Sequence, residues 1–432
     1  MPWRESRPMD ERVKFIAAYL KGEMSLIRVC ESFGVSRKTG YKWIERYVGR
    51  GVQGLMDMSR RPRTSPNAVS DEIQDLLVEA RKQHPFWGPK KVLVATQGLY
   101  PGLRLPAAST VGDILTRHGL TRPRRRSHRT PPYTQPFLGY DQPNAVWCAD
   151  FKGDFQMGNG QRCYPLTISD GFSRYLLKCE GLKRTRESDA KPVFELAFRE
   201  FGLPFSIRTD NGAPFSSRAP AGLSFLAIWW IRLGIRPERI QPGHPEQNGR
   251  HERMHRTLKA ETARPPRANM KAQQSAFDRF RGEYNRERPH EALGQRPPAA
   301  VYEPSPRPFP AIIPPLEYPP ELETRRVKNG GRISWDGALW YVSDNLSNEI
   351  VGVKPIDDHK CIVYFGRLQI GVLAPSMRRK PHPGHKAMGK IRPLQGAFDP
   401  LPDMDDHSQL TGFESPPNPL TKDPSIAEDT SQ

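Results

Sequence analysis

Two stretches decide how this chain reads: Ala145-Val146-Trp147-Cys148-Ala149-Asp150 and Phe205-Ser206-Ile207-Arg208-Thr209-Asp210-Asn211-Gly212. Each is a short run of strand formers that ends on an aspartate. Between them, Tyr164 to Ser169 and Tyr175 to Cys179 read as two further strands joined around Asp170-Gly171. Ser188 to Phe201 reads as a helix with Val193, Phe194, Ala197 and Phe201 facing inward. Residues 222–233 predict a buried helix and Ile235 to Ile240 a short strand. Asn248 would then cap a charged helix running to about Ala263. Hairpin strands followed by helix, strand and helix predict an α/β core with a mixed sheet over 140–303.

Three carboxylates fall at element ends in this core. Asp150 closes the first strand, Asp210 closes the fourth, and Glu252 lies in the first turn of the helix after Gly249. Carboxylates from separate elements are what a two-Mg²⁺ site uses, because hard oxygen ligands leave room for waters and phosphates. Further along that helix, Arg256 and Lys259 follow Glu252 at i+4 and i+7, on the face where cations can hold phosphates.

Upstream, residues 1–58 read as three short helices. Val13, Ile16, Tyr19 and Leu20 recur at helical spacing, Ser25 opens a second helix, Gly34-Val35 turns the chain, and Ser36 caps a third with Trp43, Ile44 and Tyr47 inward. This is a helix-turn-helix pattern, and it leaves Arg37, Lys38, Tyr41 and Lys42 at the end of the third helix that reaches base edges. A basic linker (59–69) follows, with Arg60, Arg61 and Arg63 suited to phosphates or a minor groove. Residues 70–121 predict a second helix-turn-helix-like unit, with Ile73, Leu76, Leu77 and Ala80 on one face. Residues 122–139 form another basic linker, in which Arg124 and Arg125 belong to a run of five arginines. Downstream of the core, a proline-rich linker (304–323) leads to a β-rich stretch, 324–375, sized for a small closed barrel. Residues 376–432 end in an acidic Pro/Ser/Asp-rich segment that reads as a disordered tail.

Charge agrees with that layout. The 432 residues hold 66 Lys and Arg against 47 Asp and Glu, a net charge of +19. Residues 1–130 carry +13 of it. Such an excess predicts a polyanionic partner, here double-stranded DNA. The 45 prolines, roughly twice average usage, predict linkers between modules. The longest apolar run, Leu223 to Ile231, is far too short for a membrane span. The N-terminus has no apolar signal core. Five cysteines without a C-x-x-C spacing argue against a disulfide scaffold or zinc ribbon. The expected setting is the cytosol.

The blocks Trp147-Cys148-Ala149-Asp150, Thr209-Asp210-Asn211-Gly212-Ala213-Pro214-Phe215 and Pro245-Glu246-Gln247-Asn248-Gly249-Arg250-His251-Glu252-Arg253 resemble the three catalytic blocks of integrase-core transposases of insertion sequences. Tyr284-Asn285-Arg286-Glu287-Arg288-Pro289-His290-Glu291-Ala292-Leu293 is similar to the segment that follows them in that family. The resemblance covers roughly residues 10 to 375. It implies a ribonuclease-H-like catalytic core, an Asp-Asp-Glu triad of Asp150, Asp210 and Glu252, and two Mg²⁺ ions that Mn²⁺ can replace. It also implies terminal inverted repeats as the DNA bound, strand cleavage and strand transfer as the reactions, and a homodimer or larger assembly on DNA. The family's common interval would instead point to Glu246, with 35 residues between it and Asp210, against 41 for Glu252. Glu246 follows Pro245 in an expected loop, whereas Glu252 is on a helix three residues after Gly249, so Glu252 is the choice and Glu246 the fallback.

Two other classes compete. His251-Glu252-Arg253-Met254-His255 satisfies the H-E-x-x-H zinc protease signature. The third ligand is missing, since the extended version wants Gly and His where Leu258 and Glu261 stand, and Arg250, Arg253, Arg256 and Lys259 would repel a cation. On the transposase reading both histidines matter far less than the carboxylates, and alanine at either keeps much of the cleavage activity. The other alternative is a DNA-binding repressor with an inactive core.

Overall fold

The computed structural model describes residues 8–58, 68–121, 141–217, 219–240, 249–357, 360–379 and 387–394. Arg60, Arg61, Arg63, Arg124, Arg125, Glu246 and Asn248 lie outside these residues, as does most of 376–432. The chain divides into two compact units, Met1–Ser70 and Asp71–Gln432.

The first unit holds α1 (Pro8–Leu20), α2 (Leu26–Ser32) and α3 (Arg37–Arg50). Gly34, at φ +62°, makes the turn that a side chain would strain, and the Ser36 hydroxyl caps α3 by accepting from the Thr39 N–H at 3.2 Å. Ser25 precedes α2 without a side-chain cap. The core is Phe15, Ile16, Val29, Cys30, Trp43 and Leu55. Of the four apolar residues at helical spacing on α1, only Ile16 is buried; Val13, Tyr19 and Leu20 are exposed, and Phe15 packs inward beside Ile16. Gly40 is required by close approach: a Cβ there would lie 2.5 Å from Cys30 Sγ.

The second unit begins with α4 (Asp71–Gln83), α5 (Pro89–Leu99) and α6 (Ala108–Arg117), closed around Leu77, Val92, Val111, Ile114 and Trp87. A mixed sheet follows, made of β1 (Val146–Phe151), β2 (Phe155–Gln156), β3 (Arg162–Asp170), β4 (Leu176–Leu182), β5 (Ser206–Thr209) and β6 (Arg236–Arg239). The strand order is β2-β3-β1-β5-β6, with β4 also on β3. β1 runs antiparallel to β3 and parallel to β5, which in turn runs parallel to β6. Helix α7 (Glu187–Phe201) covers one face with Val193, Phe194, Ala197 and Phe201 buried, as the periodicity predicts.

The helix α8 (Phe225–Arg232) is apolar all round because it is buried from two sides. Leu226, Trp229 and Trp230 join the core of the mixed sheet, whereas Ala227, Ile228 and Ile231 join that of the C-terminal strands. Helices α9 (Gly249–Thr262) and α10 (Met270–Arg286) complete the core. The sequence reading left α10 out, although Gln273, Ala276, Phe277, Phe280 and Tyr284 recur at helical spacing and are buried. It shields the edge of β4 with side chains: Asn285 Oδ1 accepts from Leu176 N at 2.8 Å, and Gln274 Oε1 accepts from Gly181 N at 2.9 Å. The same segment seats α4 and α5 on the core, with His84 Nδ1 3.0 Å from Glu283 Oε1 and Lys90 Nζ 2.7 Å from Glu291 Oε1.

The C-terminal strands are β7 (Glu323–Arg326), β8 (Arg332–Trp335), β9 (Ala338–Tyr341), β10 (Ile350–Asp357), β11 (Lys360–Phe365), β12 (Leu368–Leu373), β13 (Arg378–Arg379), β14 (Met388–Lys390) and β15 (Arg392–Pro393). They form two open sheets, β15-β12-β11-β10-β7 and β13-β14-β9-β8, rather than the closed barrel expected from the sequence. The two sheets fill a common core against α8, so burial is achieved by stacking and not by closure. Strands β13 to β15 also fall where the sequence suggested a tail. The proline-rich stretch is strapped to the core, with Leu203 N donating to Arg307 O at 2.7 Å and Ser305 N to Phe201 O at 2.8 Å.

Candidate active site and DNA-reading surface

Strand register places the first two carboxylates. Ala149 pairs with Thr209 across the parallel strands β1 and β5, so Asp150 and Asp210 follow side by side at the same end of the sheet. Both are half-buried. Asp210 opens a tight turn in which its Oδ1 accepts from Gly212 N at 3.1 Å, while Asn211 Nδ2 donates to Ile240 O at 2.9 Å. Two adjacent carboxylates on rigid strand ends match the hard-oxygen chemistry of Mg²⁺.

Glu252 lies in the first turn of α9 and is exposed. Among the described residues, no three His, Cys, Asp or Glu side chains gather into a metal-binding group. The geometry therefore brings Asp150 and Asp210 together and leaves Glu252 on the neighbouring helix. Arg256 is exposed and Lys259 half-buried further along α9.

The opposite face of α9 carries the two histidines. His251 and His255 are 4% and 3% exposed, packed with Met254 and Leu258 against the sheet. Both Nε2 atoms lie 2.7 Å from the Thr167 hydroxyl on β3. The histidines thus anchor α9 on the sheet through Thr167. Burial holds the His251 pKa down at about 4 and depresses that of His255 as well, so both rings are neutral. The point where the two Nε2 atoms converge, which a zinc ion would take in a protease, is filled by a threonine oxygen. Thr167 and Ser169 were missed because nothing local marks them; only the β1–β3 register, Asp150 opposite Thr167, reveals them.

On the first unit, Arg37, Lys38, Tyr41 and Lys42 are all exposed at the N-terminal end of α3. Buried Trp43 supports them, with the Arg12 guanidinium 4.1 Å and Lys42 Nζ 4.8 Å from its ring centre.

Comparison with known proteins agrees with this arrangement. Residues 141–245 and 233–298 match integrase core domain families, residues 11–63 a helix-turn-helix domain, and residues 39–115 a homeodomain-like domain. These define a DNA-binding protein with an integrase core. The chain is 32% identical over 255 residues to the insertion element IS476 uncharacterized 39.2 kDa protein of Xanthomonas euvesicatoria, covering 57% of this chain and 69% of that protein. It is 31% identical over 164 residues to the insertion element IS407 uncharacterized 31.7 kDa protein of Burkholderia multivorans, covering 36% of this chain and 54% of that one. The chain belongs to the integrase-core transposases of insertion sequences. The catalytic core of HTLV-2 integrase, solved in complex with magnesium, aligns with 38% of this chain and 99% of its own at 16% identity, with a TM-score of 0.31, too low to carry an argument. Among the described residues, no helix is long and apolar enough to cross a membrane.

Proposed function

We propose that this chain binds the terminal inverted repeats of its insertion sequence and catalyses Mg²⁺-dependent DNA cleavage and strand transfer. The observation that carries the reading is the Ala149–Thr209 register, which leaves Asp150 and Asp210 adjacent at one sheet end. Asp150 and Asp210 would hold the metal, and Glu252 would complete the set from α9. Bound there, two Mg²⁺ ions supply activation of a water or DNA 3′-OH and charge stabilisation at the leaving oxygen. The chain's own part is positioning. Arg256 and Lys259 hold the backbone that flanks the scissile phosphate, and Arg37, Lys38, Tyr41 and Lys42 on α3 read the element end. Arg60, Arg61, Arg63, Arg124 and Arg125 add phosphate contacts from the basic linkers. Cutting at two element ends calls for a homodimer or larger assembly on DNA.

The test is a strand-cleavage assay on element ends. Asp150→Asn, Asp210→Asn and Glu252→Gln should each abolish cleavage and leave end-binding within a few-fold. Normal cleavage by Glu252→Gln with loss in Glu246→Gln would move the third carboxylate to Glu246. End-binding without any cleavage by the wild type would favour a repressor.

A further inference from the structure

The turn between β3 and β4 is framed by one buried carboxylate. Asp170 Oδ2 accepts from Ser173 N at 2.7 Å and from the Ser173 hydroxyl at 2.6 Å, while its Oδ1 accepts from Asn144 N at 2.8 Å. This frame holds Arg174 at φ +67°, a left-handed conformation that few residues with a Cβ adopt. A second turn faces it. His290 N donates to Arg296 O at 3.2 Å and Gln295 N to His290 O at 2.8 Å, with Gln295 at φ +65°. Two buried atoms of that turn, His290 Nε2 and Gln295 Oε1, have no hydrogen-bond partner among the described residues. Strained backbone and unpaired buried polar atoms are costs that a connecting loop does not need, and they gather where a structure is held for binding.

Between the turns is a cavity of about 420 Å³, lined by Phe172 and Arg174 on one side, Ala292, Leu293 and Arg296 on the other, and Val301 beside them. Its volume is that of a small-molecule site. Arg174 Nη1 donates to Gly171 O at 3.1 Å and Arg296 Nε to Leu293 O at 3.4 Å, so a carbonyl of its own turn braces each guanidinium. A carbonyl orients the group and leaves its charge in place, and the planar fork suits a phosphate. The neighbouring acids are engaged: Asp170 in the turn frame and Glu291 with Lys90 Nζ at 2.7 Å. Two cations beside the apolar walls of Phe172, Leu293 and Val301 match an anionic group joined to a less polar body, as a phosphate is joined to its sugar.

The site is apart from the carboxylates. Gly171 N donates to Val146 O at 2.8 Å, so the β3–β4 turn meets the start of β1, whereas Asp150 lies near its end. At about 3.3 Å per residue the separation along β1 is roughly 13 Å. That is about four phosphates of one DNA strand. We propose that this cavity holds a sugar–phosphate unit of a DNA strand away from the point of cleavage, with Arg174 and Arg296 on the phosphate and Phe172 and Leu293 against the sugar. The proposal rests on the reading of the chain as a transposase that handles DNA, and adds a second point of grip on the core.

The test is duplex binding by the full-length chain, titrated without divalent metal at several salt concentrations on DNA carrying the element end. Arg296→Gln should weaken binding by about fivefold and lower the salt slope by about one. Arg174→Gln should do the same, and Arg296→Lys, which keeps the charge, should keep the slope. Ala292→Trp fills the cavity from an exposed position without removing charge, and should lower the slope as Arg296→Gln does. Arg199→Gln on α7, where Arg199 is paired with Glu195, is the control and should bind as the wild type does. Wild-type slopes in both Arg296→Gln and Ala292→Trp overturn the proposal. A lower slope in Arg296→Gln alone also overturns it, because the arginine would then be a surface charge and the cavity idle. Thymidine monophosphate, followed by NMR line broadening, separates the two sources of a phosphate. Binding of it that Arg296→Gln abolishes, with DNA slopes unchanged, overturns DNA as the occupant in favour of a free nucleotide. Failure of the cleavage reading looks different: the wild type would bind DNA with the expected slopes and cut nothing.

Discussion

Arg288 Nη1 lies 2.9 Å from Glu261 Oε1, joining the end of α9 to the segment after α10 in a pair only 8% and 14% exposed at its side chains. Burial already pushes the Glu261 carboxyl pKa up despite the adjacent guanidinium. The pair therefore holds the helix that carries Glu252, in an environment that tolerates neither charge alone.

Removing one member should be costly. Arg288→Ala should lose about 3–5 kcal/mol, since it strands Glu261. Adding Glu261→Gln to it should recover part of the loss. Urea unfolding midpoints of the three proteins check this; equal stability of Arg288→Ala and the wild type would show the pair to be idle.

Acid should weaken the same region. His290 is held down to about pKa 3, first by burial and then by Lys91, Arg288 and Arg174. The unfolded chain protonates this residue near its ordinary 6.5, so between pH 6.5 and about 3 the unfolded state binds more protons. Stability should then fall as pH drops through that window. His290→Asn should flatten the fall between pH 6.5 and 5, above most carboxylate titration, as read from unfolding midpoints at each pH.

The proposed DNA reading by α3 has a salt signature. Arg37→Ala, Lys38→Ala or Lys42→Ala should weaken end-binding, and loss of a phosphate contact should reduce the salt slope by about one. A side chain that reads a base should also relax preference at one position, by about 1–3 kcal/mol. Binding titrations at several salt concentrations on element ends and random DNA separate the two. Equal loss on both DNAs would reduce α3 to a phosphate clamp.

Along α9, function should divide by face. Arg256→Ala and Lys259→Ala should lower strand transfer more than end-binding, because residues 1–130 carry +13 of the net charge of +19. His251→Ala and His255→Ala should instead lower cleavage and stability together, as each opens a cavity under the helix. Strand-transfer assays beside thermal melts distinguish the faces.

Much of the molecule was readable from local pattern. Strands ending near Asp150 and Asp210, the inward face of α7, the charged helix bearing Glu252 and the Ser36-capped α3 all follow from period, caps and turn residues, which are local properties. The spacing of Val13, Ile16, Tyr19 and Leu20 predicts a helix without fixing its inward face, and packing against α2 and α3 selects Phe15 and Ile16.

The sequence by itself determined much of the element order up to α9, the acids at the ends of β1 and β5 and the basic residues at the start of α3, because each depends on neighbours a few residues apart. Tertiary structure alone decided what those elements meet. Register between β1 and β5 set Asp150 beside Asp210, and register between β1 and β3 put Thr167 under the two histidines. The burial of α8 between two cores made open, stacked sheets sufficient where a closed barrel was expected. Pairing partners far apart in the chain are chosen by the summed burial and hydrogen bonding of whole elements, and no local period carries that choice.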